Sequence, residues 1–136
     1  TLAVIPERLE DARSLIQAIG EEVHVSDEKY VDMATGLSGS GPAYVFMFIE
    51  SLTDAGVHVG LTRNTAAKLA VQTVLGSAQL VRESGLHPAE LRNMVTSPGG
   101  TTAEGTLVLE SAGFRTSIIE AVAAAYEKAR VLGEEE

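Results

Sequence analysis

The sequence predicts an all-α fold, a helical bundle preceded by a short strand, helix, strand segment, and three observations carry that reading. Apolar residues recur at helical spacing from about residue 27 to the end, Gly, Pro and Thr stand where helices begin and stop, and strand-like alternation is confined to the first 26 residues. The chain has 136 residues, 45% of them hydrophobic, which suffices for one sizeable core and not for two ordinary domains. The expected division is 1–26 as the trailing part of a larger α/β domain and 27–136 as a helical domain, because two lone strands and one helix do not make a stable sheet.

Taken in order, Leu2 to Ile5 reads as a strand, and Glu7 to Ile19 as an amphipathic helix with Leu9, Ala12, Leu15, Ile16 and Ile19 on one face, stopping at Gly20. Glu22 to Ser26 alternates in the strand manner. Tyr30 to Leu37 is the next helix, broken by Ser38-Gly39-Ser40-Gly41, after which Pro42 occupies the place of a first helical residue. From Ala43 to Ile49 every residue is apolar, so that helix should be buried on all sides, within the domain or against another subunit. Thr62 is a candidate N-cap for the longest helix, about 33 Å at 1.5 Å per residue, with Ala66, Leu69, Ala70, Val74, Leu75, Ala78 and Val81 on its apolar face and Gly85 as its stop. Pro88 opens a short helix to Val95, Thr101 to Ser111 forms another, and Arg115 to Leu132 closes the chain.

Composition narrows the function classes. A net charge of -9 argues against a phosphate-tracking surface, and scarce aromatics without Trp argue against a stacking platform for single strands, so nucleic acid is not an expected partner. The acidic runs Glu21-Glu22 with Asp27-Glu28 and Glu134 to Glu136 read as solvated surface. No cysteine is present, which fits a reducing, cytoplasmic setting, and no apolar stretch approaches the roughly 20 residues that span a bilayer, so no membrane role is expected. His24, His58 and His87 lie far apart without ligand spacing, so no metal site is expected and they read as surface or capping residues. Glu50 and Asp54, one turn apart, read as the exposed end of an apolar helix.

The segment that could do chemistry is Ser97-Pro98-Gly99-Gly100-Thr101-Thr102-Ala103-Glu104, a glycine turn feeding a helix start. Thr101 and Glu104 have capping-box spacing, two glycines permit close backbone approach, and the helix start carries positive partial charge, so the natural guest is a carboxylate or phosphate. Ser97 and Thr102 would add hydroxyl donors. On turn chemistry alone the same residues read equally as a plain turn and a plain cap. Ser38 to Pro42 lacks the Lys-Ser/Thr pair of a P-loop and follows a helix, so it reads as a tight helix-to-helix turn.

Leu37-Ser38-Gly39-Ser40-Gly41-Pro42-Ala43-Tyr44, Ala55-Gly56-Val57 with Gly60-Leu61, and Met94-Val95-Thr96-Ser97-Pro98-Gly99-Gly100-Thr101-Thr102 with Gly105 and Leu109-Glu110 together resemble the pyrroline-5-carboxylate reductases, in order and over almost the whole chain. The resemblance implies a helical bundle of the 6-phosphogluconate-dehydrogenase C-terminal-like type that intertwines with a partner subunit. It implies reduction of 1-pyrroline-5-carboxylate to L-proline with NADPH or NADH, the last step of proline biosynthesis. Ser97, Gly99, Gly100, Thr101 and Thr102 would hold the substrate carboxylate, Thr102 would serve catalysis beside the ring nitrogen, and Val95 and Ser97 would border the nicotinamide. A homodimer or higher homo-oligomer is the implied assembly.

The departure from the pattern is the lack of a Gly-x-Gly-x-x-Gly turn after a first strand, so the cofactor is expected to be bound mainly by a domain other than this one, and the chain alone is expected to be inactive. Two other readings stand beside this one. The chain could be a non-catalytic oligomerisation module, which has no need of the Ser97 to Thr102 pattern, or it could serve reduction of a related cyclic imino acid, a discrimination of only about 1 to 3 kcal/mol.

Overall fold

A computed structural model describes residues 6–25 and 27–134, and among them every regular element is helical. They are α1 (Pro6–Gln17), α2 (Lys29–Ala34), a π-helical turn (Thr35–Gly39), α3 (Gly41–His58), α4 (Arg63–Ser84), α5 (Pro88–Met94), α6 (Thr101–Ser111) and α7 (Phe114–Glu134). The strand expected at Leu2 to Ile5 lies outside the described residues. The strand expected from Glu22 is corrected: residues 21–25 form no regular element and pair with none of the described residues, because alternation alone supplies no partner for the backbone N–H and C=O groups. Arg13 of α1 instead reaches Glu22 at 3.1 Å, tying that helix to the segment after it.

Helix limits follow local chemistry. Thr62 caps α4 by accepting the Thr65 amide at 3.3 Å, and Gly85, with φ +65°, closes the same helix in the left-handed region that other residues avoid. His87 caps α5 through Nδ1, which accepts the Ala89 amide at 3.1 Å, and Pro88 follows at the first turn, where its missing N–H costs nothing. The expected break at Ser38 to Pro42 is gentler than a helix-to-helix turn. Helix α2 runs on into the π-turn, whose wider ring is closed by the Ser40 amide on the Thr35 carbonyl at 2.9 Å, and α3 starts at Gly41 with Pro42 in its first turn.

Two packing centres hold the helices. In the first, α3 and α4 form a hairpin in which Ala66 and Ala70 are 2% and 5% exposed, and a Cβ placed on Gly56 would stand 2.8 Å from the Ala66 Cβ. Small residues here let the two backbones close up, as ridge-and-groove packing requires. Thr53, also buried, satisfies its hydroxyl on the Ile49 carbonyl at 2.8 Å, so no polar group is stranded in the contact.

In the second centre α7 lies against α2, the π-turn and the start of α3. Gly36 faces the α7 main chain so closely that an added Cβ would stand 2.9 Å from the Tyr126 amide nitrogen and 3.0 Å from the Val122 carbonyl oxygen. One turn along, the Tyr44 hydroxyl donates to the Ala121 carbonyl at 3.3 Å, and Phe48 meets Phe114 with ring centroids 6.0 Å apart.

Most residues of the expected apolar faces are exposed among the described residues. In the run expected to be buried all round, Phe46 is 68% and Met47 66% exposed; Leu75 of α4 and Ile119 of α7 are 57% and 68% exposed. The accessible surface is 10842 Å², whereas a compact monomer of 14.3 kDa exposes about 6,800 Å².

The close approach at Gly36 is checked by Gly36→Ala. Because the obstructing atoms are backbone, α7 must shift, and urea unfolding should show a loss of about 1–3 kcal/mol. The control Gly105→Ala, which meets open space inside α6, should be neutral or slightly stabilising.

Candidate functional site

The candidate loop joins α5 to α6 and is shaped by its own hydrogen bonds. The Thr96 hydroxyl donates to the Arg92 carbonyl at 2.7 Å, finishing α5, and the Gly100 amide donates to the Ser97 carbonyl at 3.0 Å, folding Ser97 to Gly100 into a turn. Pro98 pre-sets the second position of that turn and Gly99, with φ +65°, supplies the third, the residue pattern of a type II turn. Gly100 is then the N-cap of α6 in extended conformation, and its carbonyl accepts the amides of Ala103 at 3.0 Å and Glu104 at 3.3 Å.

This arrangement corrects the expected capping box. Thr101 is the first residue of the helix and not its cap, and no side chain caps the helix. The physical reason is that Gly100 already turns the chain, which leaves Thr101 inside the helical geometry. Among the described residues the N–H groups of Thr101 and Thr102 have no acceptor, so two donors at a helix start point out of the structure beside the positive end of α6. The Ser97 hydroxyl lies against Gly100, where an added Cβ would meet it and would stand 3.1 Å from the Ser97 carbonyl oxygen, so a larger residue there would make the serine side chain turn away.

Ser97, Gly99 and Thr101 are exposed, and Gly100 and Thr102 are half-buried, so the five residues expected around a carboxylate are brought together at one helix end. Val95, 65% exposed, sits just after α5 and offers an apolar edge next to Ser97. Neither residue builds a cradle for the phosphates of a dinucleotide, and no glycine turn among the described residues follows a strand. The residues present fit contact with one end of such a cofactor and do not fit its retention.

Below the loop, α5 and α6 diverge around an open groove of about 360 Å³, with Asn93 and Thr96 on one wall and Ala103, Thr106 and Leu107 on the other. Its far side is crossed by charges that spacing did not reveal. The Arg115 Nε of α7 donates to both carboxylate oxygens of Glu110 in α6, at 2.8 and 3.0 Å, and the same carboxylate lies 3.8 Å from the Arg92 guanidinium of α5. Glu110 was visible in the sequence only as part of a resemblance, and nothing in spacing announces its partners. His24, His58 and His87 stay apart, His87 serving as a cap, and among the described residues no three potential ligands gather around one point. Asp54 pairs with Arg63 at 2.9 Å in an exposed position, and Glu50 is exposed.

A helical domain whose apolar faces stay widely uncovered is the class that the described residues define. Comparison with known proteins gives the family. The family model described as pyrroline-5-carboxylate reductase dimerisation matches residues 28–132, and the chain belongs to that family. Pyrroline-5-carboxylate reductases of Synechocystis and Escherichia coli are 53% identical over 130 residues and 47% identical over 129, which is 96% and 95% of this chain and 48% of each relative. The chain spans about half the length of the curated relatives it matches.

Solved structures agree. Plasmodium falciparum pyrroline carboxylate reductase, a structure with NADP bound, superposes with a TM-score of 0.91 at 39% identity over 98% of this chain and 50% of its own. The Coxiella burnetii pyrroline-5-carboxylate reductase does so with 0.90 at 41%, over 97% and 49%. No helix among the described residues is long and apolar enough to cross a membrane.

The left-handed turn is tested by Gly99→Ala. A side chain at φ +65° costs about 1–2 kcal/mol, so hydrogen exchange at the Gly100 amide should accelerate roughly five- to thirtyfold. An unchanged rate would show that the turn does not rely on that glycine.

Proposed function

We propose that this chain is the substrate-binding and assembling domain of a reductase that converts 1-pyrroline-5-carboxylate to L-proline with NADPH or NADH. The observation that carries the reading is the pair of free N–H groups at Thr101 and Thr102, with the Ser97 hydroxyl against the preceding Gly100. A carboxylate placed there gains charge-assisted hydrogen bonds from the backbone and the favourable end of the helix dipole. Thr102, half-buried one residue into the helix, is the group best set to hold the ring nitrogen of a cyclic imine whose carboxylate the amides grip.

Catalysis by these residues is orientation: they fix one face of a flat ring and leave the opposite face free. Val95 and Ser97 form the edge against which a nicotinamide would lie, while the dinucleotide as a whole is held by a domain of a different kind. In this reading residues 1–26 are the trailing part of that dinucleotide-binding domain and 27–136 the helical domain, and the setting is cytoplasmic. The match of a dimerisation family from residue 28 supports the division.

The same reading assigns the uncovered faces of α3, α4 and α7 to a second copy of the chain. Surface roughly 4,000 Å² in excess of a compact monomer is of the size that obligate apolar interfaces bury.

Calorimetric titration of L-proline into the purified chain should show binding, weakened roughly three- to tenfold in Thr102→Ala by loss of one hydrogen bond. Equal affinity in the variant would remove Thr102 from the site. Sedimentation at micromolar concentration should give a dimer or a larger homo-oligomer, and Phe46→Asp should yield aggregated or unfolded chain; a folded, compact monomer of either protein would overturn the assembly.

A further inference from the structure

We infer that Glu110 is a positioning residue for the Ser97 to Thr102 loop, acting as the middle of a charged clamp that sets the separation of α5 and α6; the functional meaning of that separation rests on the carboxylate reading above. The loop is held at its two ends by different helices. Ser97 follows α5, whereas the free amides of Thr101 and Thr102 belong to α6, and the short hydrogen-bonded turn from Ser97 to Gly100 joins them, so any change in the distance between the two helices falls on that turn.

Packing does not fix that distance, because a groove of about 360 Å³ separates them below the loop. What crosses the groove is the carboxylate of Glu110. It is anchored on one side by the Arg115 Nε, which donates to both its oxygens at 2.8 and 3.0 Å, and it faces the Arg92 guanidinium at 3.8 Å on the other. Arg92 is in turn steadied by donating to the Asn93 side-chain oxygen at 3.2 Å. The clamp thus runs from α7 through α6 to α5. All three charged side chains are between 42% and 60% exposed, so the network contributes little to global stability and its effect is local.

The test is hydrogen exchange on the purified chain with Glu110→Gln, which keeps the shape and removes the charge, and Arg92→Lys, which keeps the charge. In Glu110→Gln the protected amides around the loop, Thr96, Gly100, Ala103 and Glu104, should exchange roughly three- to tenfold faster, while amides of α4 and the thermal midpoint stay as in the unsubstituted chain. Arg92→Lys should keep most of the protection, and 1 M salt should loosen the loop of the unsubstituted chain but not of Glu110→Gln. Unchanged loop exchange in Glu110→Gln, or acceleration spread equally over all helices, overturns the clamp. The same samples are titrated with L-proline. Failure of the unsubstituted chain to bind while loop exchange still responds to Glu110 would remove the carboxylate reading and leave the clamp standing.

Discussion

Everything in this fold is conditioned by a shortage of partners for its apolar surface. Helices α3, α4 and α7 each carry many apolar residues, yet the buried hydrophobic residues among those described are Ala66, Ala70 and Leu91, two of which are the smallest side chain that can pack. Alanine and glycine contacts bring backbones close but remove little apolar area, and area is what offsets the loss of chain entropy. The hairpin of α3 and α4 and the seat of α7 on the π-turn are therefore junctions that set directions, and the bulk of the hydrophobic energy is left for a further layer. We assign that layer to a second copy.

The same constraint explains how much of the structure could be read from the sequence. Helix positions were legible because capping and breaking residues act locally: Thr62, Gly85 and Pro88 do their work within a few residues of where they stand. Which apolar residues would be covered was not legible, because Phe46 or Ile119 on a helical stripe looks the same whether its neighbour is in the same chain or not. The alternation at Glu22 to Ser26 misled for a related reason, since a strand is defined by what lies beside it.

At the loop, the glycines and hydroxyls raise the expectation of an anion site, and the geometry of the turn there follows from Pro98 and Gly99. The capping box did not form, because Gly100 had already taken the cap position. The charges beneath the loop were invisible, since Arg92, Glu110 and Arg115 belong to three helices and meet only in three dimensions. The free amides are themselves a backbone property that no side chain advertises, and a site built from them changes its fit, not its charge, when its side chains vary.

The π-turn at Thr35 to Gly39 carries one residue more than an α-helix would need to cover the same rise. Each residue of an α-helix advances the direction of its side chain by about 100°. Deleting one residue there would turn the whole of α3 by about that angle relative to α2. Helix α7 could then no longer keep both sets of contacts: either Tyr44 would leave Ala121 and Phe48 would leave Phe114, or Gly36 would leave the α7 backbone. One surplus residue thus works as a phase setting, deciding which stripe of a long apolar helix belongs to this chain and which is left for its neighbour.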